Sequence, residues 1–240
     1  MYSHRSTHGP VDLAFTDRYG GVSGVPFDSL NLALEGDDDA DRCAENLRIV
    51  IDDFAPGAMP VNLHQVHGSR VVLVEDWRSS SPPSADGLVA RDQPDIVLVV
   101  RAADCVPVLF ADPGARVIGV AHSGRPGLAA GIVPATVERM RAVGASEITA
   151  WIGPHVCGAC YEVPEKMQAE VGAIEPAAVA TTSWGTPSLD IGAGVRAQLE
   201  RDGVRVVDVS RCTRESADLY SYRRDGRSSG RLAGLIRLNT

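Results

Sequence analysis

Three apolar runs set close together constrain this chain more than any other feature. Ile96–Val100 (IVLVV), Val106–Phe110 (VPVLF) and Val117–Ala121 (VIGVA) follow one another with only short breaks. A strand that shows one face to water alternates apolar with polar residues. A run that is apolar throughout predicts a strand covered on both faces. Such strands need layers above and below them, so the runs predict an α/β sandwich.

The flanking segments supply those layers. Helical spacing of Cys43, Leu47, Val50, Ile51 and Phe54 predicts a helix from Asp41 to Phe54, capped by Asp39 or Asp41. Leu128–Val143, Pro164–Val171 and Leu189–Arg201 read as further helices. VDLAF (11–15), Val61–Leu63, Val71–Val74, Ile148–Ile152, Val204–Val209 and the tail RLAGLIRL read as strands, with 61–63 and 71–74 flanking a tight polar turn. The stretches 16–39 and 78–87 (RSSSPPSADG) are rich in Gly, Ser, Pro and Asp and read as loops. No linker, composition break or repeat divides the 240 residues. The expectation is a single domain over 1–240, a layered α/β sandwich with a mixed sheet or sheets flanked by helices.

Charge and cysteine usage narrow the function. The formal net charge is −8, so nothing draws the whole molecule toward nucleic acid or an anionic membrane. An anionic substrate needs a local basic pocket. No apolar run reaches the length of a membrane span, and MYSHRSTHGP lacks the apolar stretch of a secretory signal. The five cysteines are odd in number and argue against a disulfide framework. A cytoplasmic protein with reduced thiols is expected, in which any thiol with unusual neighbours is a candidate for metal binding or catalysis.

Three strand ends carry such residues. Cys105 follows IVLVV-RAAD, His122 ends VIGVA, and the HQVHG turn offers His64 and His67. If these strands are neighbours, a thiolate and two imidazoles converge, and that donor set suits zinc with a fourth position open. Spacing alone leaves other readings standing: Cys105 as a plain buried thiol, and His122 as a strand-end histidine.

The segments SLNLAL, HQVHG, ADGLV, RAADCVPVLFAD, GVAHSGRPGL, IGPHVCGACYEV, LDIGAGVRAQL and CTRESADLYSYRRDGRSSGRLAGLIRL, in that order, resemble the YfiH family of laccase-domain proteins, also called polyphenol oxidases. The resemblance runs from about Phe15 to the last strand. It implies a fold similar to that of cysteine hydrolases. It also implies zinc held by the second His of HQxHG, the Cys of ADC and the His of HAGW, here His67, Cys105 and His122. The activity it implies is phosphorolysis of adenosine, inosine and methylthioadenosine, with deamination of adenosine. The partners are then a nucleoside and phosphate, with neither nucleic acid nor membrane. The chain departs from the family at three places. Arg125 and Pro126 stand where HAGWRG has Trp and Arg, and Leu47 stands where the family has the Arg of an Asn-Arg pair.

Further roles follow from residue chemistry. His64 is a candidate proton carrier, and Asp104 is placed to hydrogen-bond a ligating imidazole. Arg223, Arg224 and Arg231, then Arg18, are the phosphate candidates, because a guanidinium meets phosphate bidentately. Asn31 is a substrate contact by family position. Cys157 and Cys160 form a CxxC beside His155, open to a redox or structural-metal reading that wants a second ligand pair. Three alternatives to the zinc enzyme remain. One is a copper-dependent polyphenol oxidase, although the six histidines include no HxH pair. Another is a cysteine hydrolase with Cys105 as nucleophile and His122 as base. The last is a binding module with a structural metal.

Overall fold

The computed structural model describes residues 1–75 and 81–239. The chain opens with β1 (Tyr2–His8), β2 (Val11–Thr16), α1 (Ala40–Phe54), β3 (Met59–Val61) and β4 (Val71–Leu73). Next come β5 (Gly87–Arg91), β6 (Ile96–Ala102), β7 (Val106–Asp112), β8 (Val117–Ser123), α2 (Arg125–Ala130) and α3 (Ile132–Ala142). The remainder is β9 (Thr149–Ile152), α4 (Glu165–Gly172), β10 (Val179–Thr181), β11 (Pro187–Leu189), α5 (Ile191–Arg201), β12 (Arg205–Asp208), α6 (Tyr222–Asp225) and β13 (Leu232–Leu238).

The apolar runs are buried on both faces, as expected, but in two sheets. A five-stranded sheet has the order β1-β2-β13-β6-β3, and a six-stranded sheet the order β12-β9-β7-β8-β5-β4. Both are mixed: β6–β3, β12–β9 and β5–β4 pair parallel and the other named neighbours antiparallel. The period of two divides each run between two cores. In β6, Ile96, Leu98 and Val100 face the other sheet, where they meet Leu109 of β7 and Ile118 and Val120 of β8. Val97 and Val99 face outward onto Val50, Ile51 and Phe54 of α1. Val108 and Phe110 of β7 face the opposite way, onto Val133, Val137 and Met140 of α3 and Val195 and Leu199 of α5. The layers are therefore helix, sheet, sheet, helices. Each fully buried Leu, Ile or Phe contributes about 1.5–3 kcal/mol, so the core between the sheets and the core under α3 and α5 together drive folding.

Several expectations are corrected. Val61–Leu63 and Val71–Val74 do not flank a turn of one hairpin. β3 joins the five-stranded sheet and β4 the six-stranded one, so 62–70 crosses between sheets. The predicted helix 128–143 is two helices, broken at Gly131, whose φ of 78° is left-handed and costs glycine little. β1 and β5 were not expected, nor was the small β10–β11 pair. The loop expected at 78–87 lies outside the described residues over 78–80, and β5 begins at its last residue. Asp39 caps α1 by accepting from the Asp41 and Arg42 amides.

Candidate metal centre

The connections between the sheets build a donor cluster. β6 lies in one sheet and β7 in the other, and Cys105 sits on the crossing between them. His67 sits on the other crossing, from β3 to β4. His122 stands near the end of β8, paired with Pro107 of β7. One ligand atom from each of His67, Cys105 and His122 lies within 4.8 Å of the others. Cys105 Sγ is 3.9 Å from His67 Nε2, and the two imidazoles meet edge to face at 4.7 Å. His122 is buried, Cys105 half-buried and His67 exposed, so the cluster opens to one side. His67 (φ 60°) and Asp104 (φ 83°) both hold left-handed backbone without being glycine, which is strain of the kind that collects at functional sites.

Glycine at 124 is required by this cluster. A Cβ there would stand 2.9 Å from both Cys105 Sγ and His67 Cδ2. The HQVHG turn is held from behind by Gln65, whose amide donates to Arg101 O and accepts from Arg101 N, both at 2.8 Å.

Asp86, a residue not singled out from the sequence, orients two of the donors. It is fully buried at the start of β5. Its Oδ1 accepts from His122 Nδ1 and His67 N, both at 2.9 Å, and its Oδ2 from Gly68 N at 2.7 Å and Val66 N at 3.2 Å. The first bond fixes the proton on Nδ1 of His122 and leaves Nε2 to meet Cys105 or a metal. Asp104 does not do this. Its carboxylate accepts from Thr213 Oγ1 and the Arg223 amide and touches neither imidazole.

Ionisation follows the geometry. Burial pushes the Cys105 thiol up, but the charge of His122 and hydrogen bonds from His122 and His67 outweigh it and bring it down to about 6. Burial pulls His122 down, but the Cys105 charge and Asp86 overcome it and raise it to about 9. The sulfur is thus an anion at neutral pH even before a cation is considered. A thiolate and two oriented imidazoles form a donor set that fits zinc.

The cluster opens into a cavity of about 480 Å³, within the range of small-molecule sites. His64 lies at its edge, half exposed, with Nδ1 3.2 Å from Glu35. Arg231 lines both this cavity and an adjoining hollow, and its guanidinium lies 5.8 Å from the Tyr222 ring. Arg223 stacks on Tyr161 at 4.8 Å. The other predicted contacts are placed differently. Arg224 donates to the carbonyls of Thr213, Ser216 and Leu219 and pairs with Asp225, so its guanidinium is already engaged. Asn31 is buried, with its amide donating to Asp38 and its oxygen accepting from Ala33 and Arg231 amides; it borders the adjoining hollow. Arg18 lies over Tyr220 and bonds Asp28.

The arginine missing at Leu47 is not recovered from α1, where Arg48 pairs outward with Glu45 and Asp52. Arg101, unmarked in the sequence, lines the cavity instead. It is only 5% exposed, donates to Leu32 O and Asn62 Oδ1, and keeps Nη1 without a partner among the described residues. Burial brings it down to about 10, so it remains a cation at neutral pH. Arg125, in the position of the family's Trp, is close enough to Tyr161 to oppose the rise that burial and the Cys105 charge impose on that phenol. The CxxC also gains neighbours: Cys157 and Cys160 lie with Cys212 and Glu215, whereas His155 turns away to donate to Gly153 O.

Residues 12–239 match the family described as multi-copper polyphenol oxidoreductase laccase. A purine nucleoside phosphorylase of Streptomyces coelicolor is 49% identical over the whole of both chains. One of Mycobacterium tuberculosis is 43% identical over 92% of this chain and 89% of its own. Among solved structures, a Neisseria meningitidis protein superposes with a TM-score of 0.87 at 30% identity, covering 99% of each chain. YlmD of Geobacillus stearothermophilus superposes with a TM-score of 0.84 at 31% identity, covering 96% of this chain and 93% of its own.

Proposed function

Because this chain belongs to the laccase-like YfiH family, we propose that it is a zinc-dependent purine nucleoside phosphorylase acting on adenosine, inosine and methylthioadenosine, and that it also deaminates adenosine. The observation that carries this reading is the His67–Cys105–His122 donor set opening into a cavity lined by two arginines and an aromatic ring. Relatives at 49% and 43% identity bear the name purine nucleoside phosphorylase, which supports the same choice.

Zinc held by the three donors would supply a Lewis acid able to polarise an oxygen of a reactant. The protein's own groups do the rest. Phosphorolysis forms a bond from a phosphate oxygen to the anomeric carbon and breaks the bond from that carbon to the base, which leaves as an anion and takes up a proton. Arg101 and Arg231 hold the phosphate, with Arg223 and Arg125 adding positive charge beside Tyr161. Tyr222, Leu34 and Leu63 give the base an apolar and aromatic surface. His64, paired with Glu35, carries the proton to the leaving base. Deamination adds water at the purine carbon bearing the amine and releases ammonia, and it needs the same proton carrier.

Incubation of the purified protein with adenosine and phosphate yields adenine and ribose 1-phosphate. Without phosphate it yields inosine and ammonia. Chelation abolishes both activities and zinc restores them. A zinc-loaded protein that turns over none of the three nucleosides refutes the proposal. One competing reading has an observation behind it: Cys105 and His122 lie together, where a thiolate nucleophile and an imidazolium able to give up its proton would form a pair. That cysteine hydrolase predicts activity that survives chelation and is lost on thiol alkylation. Copper chemistry predicts stoichiometric copper and a blue absorption.

A further inference from the structure

The CxxC turn and a distant C-terminal turn come together beside Asp104. Cys157-Gly158-Ala159-Cys160 closes with the Cys160 amide donating to Cys157 O at 3.0 Å. Cys212-Thr213-Arg214-Glu215 closes with the Ser216 amide donating to Cys212 O at 3.1 Å. Each turn presents a pair of soft or anionic donors at i and i+3, the spacing by which structural zinc sites take two ligands from each of two loops. One donor atom from each of Cys157, Cys160, Cys212 and Glu215 lies within 4.8 Å of all the others.

We propose that these four residues bind a second, structural zinc ion, coordinated by three thiolates and one carboxylate with no open position. Zinc–sulfur bonds of about 2.3 Å and zinc–oxygen bonds of about 2.1 Å set tetrahedral edges of about 3.8 Å between sulfurs and about 3.6 Å between sulfur and oxygen. Cys160 Sγ is 3.4 Å from Glu215 Oε1. The Cys157 amide points at Cys212 Sγ, 3.5 Å away, as backbone amides do toward thiolates that carry excess charge. Three thiolates and a carboxylate around a divalent ion leave two negative charges. Arg214 sits between Cys212 and Glu215 and reaches Cys160 O, which places a guanidinium beside them. Gly158 is the residue the first turn allows, because a Cβ there would lie 2.9 Å from Asp190 Cβ and 3.0 Å from Ala180 Cβ.

The second ion acts on the catalytic cavity by position. Thr213, within one turn, donates to Asp104, the neighbour of Cys105. Tyr161, next to Cys160, carries Arg223 on its ring. The ion pins both turns and so fixes the wall that holds Arg223.

Metal analysis of the full chain, purified under reducing conditions, tests this independently of activity. Wild type holds two zinc ions per chain. Cys105→Ser lowers this to one, and Cys157→Ser with Cys160→Ser also lowers it to one. Glu215→Gln keeps the three thiolates and loses its second ion to a chromophoric chelator at least tenfold faster than wild type. Cobalt-loaded Cys105→Ser retains a strong sulfur-to-cobalt charge-transfer band from three thiolates. The proposal is overturned if wild type and the Cys157/Cys160 variant carry the same metal content, if cobalt in Cys105→Ser shows no thiolate band, or if native mass analysis finds a disulfide among Cys157, Cys160 and Cys212 in place of metal. A wild type that holds one zinc ion, kept in Cys105→Ser and lost in the Cys157/Cys160 variant, refutes the catalytic reading and leaves this one standing.

Discussion

Replacing Asp86 by Asn exchanges one oxygen for an NH2 group and changes little in volume, yet four N–H donors converge on this side chain. If the amide oxygen occupies the Oδ1 position, the NH2 group faces the Val66 and Gly68 amides and the crossing that carries His67 must open. If it occupies the Oδ2 position, the NH2 group faces His122 Nδ1 and the His67 amide. His122 then accepts at Nδ1, which puts its proton on Nε2 and blocks ligation. Either orientation removes one donor from the cluster. The first orientation leaves two partly buried N–H groups without an acceptor and the second leaves one, at about 1–3 kcal/mol each, so the metal-free protein loses about 1–6 kcal/mol. At the lower bound this is a fall in melting temperature of about 2–4 °C for a chain of this size. Zinc affinity falls about 10–100-fold, as for other substitutions behind a ligating histidine. Competition against a chromophoric chelator measures the affinity, and thermal denaturation after zinc removal measures the stability. Asp104→Asn is the control, since its carboxylate meets no imidazole and its loss leaves zinc affinity unchanged. An Asp86→Asn protein that binds zinc as tightly as wild type and melts with it would falsify the assignment of the orienting role.

Gly124→Ala drives a methyl between Cys105 and His67; far-ultraviolet dichroism stays native while zinc binding and turnover are lost. Arg101→Met removes a cation from the cavity, and a charge-assisted hydrogen bond of about 1.5–3 kcal/mol predicts a rise in the KM for phosphate of about tenfold or more in steady-state kinetics. In zinc-free protein, Cys105 alkylation rises as pH passes upward through about 6, because the folded value is depressed and the thiolate dominates above it. Cys43, pushed up to about 12 by burial and the Asp38 charge, stays unreactive, as peptide mapping after iodoacetamide shows. Asp86 titrates below the ordinary carboxylate value of about 4: burial raises it, but His122 and the Gly68 and His67 amides outweigh burial. Its contribution to stability is complete above that value and is lost as pH falls through the depressed one, which acid denaturation of Asp86→Asn against wild type reads out.

The legible part of this fold is the part where burial writes a pattern. Ile96–Ala102 and Val117–Ser123 are covered on both faces, so an uninterrupted apolar run sufficed. Tyr2–His8 was missed because it is an edge strand with no fully buried residue and a polar sequence. Pro187–Leu189 is too short to show a period. The helix break at Gly131 was visible as a glycine, but glycine is tolerated inside helices and does not by itself announce a stop. The three donors followed from motifs, whereas Asp86 did not, since a carboxylate before a strand is commonplace and only its four donors distinguish it. Arg101 reads as an inward residue of an apolar strand, and its place in the cavity wall exists only in three dimensions. Cys212 and Glu215 lie far along the chain from the CxxC, so the second pair that a structural site requires could not be found by spacing.

The placement of the donors on crossings between sheets has a consequence for how the site responds to the fold. His67 and Cys105 both lie where the chain leaves the five-stranded sheet for the six-stranded one, and His122 and Asp86 belong to the six-stranded sheet alone. The relative position of the two sheets therefore bears on the distance from His67 and Cys105 to His122, together with the Asp86 bonds that tie residues 66–68 to the six-stranded sheet. That position is fixed by interdigitated side chains such as Leu98, Leu109 and Val120, all fully buried. Cores of this density move as packed units and give up contact energy when a methylene is removed. Leu109→Ala, remote from the cavity, is then expected to destabilise the fold by about 2–5 kcal/mol. It also weakens zinc binding, because a shift of the sheets by a fraction of an ångström spoils the donor geometry. Val137→Ala, on the helical side of the six-stranded sheet, leaves the seam between the sheets intact and lowers stability without changing zinc affinity. Equal effects of the two substitutions on zinc affinity would show that the crossings, and not the packing between the sheets, hold the donors in register.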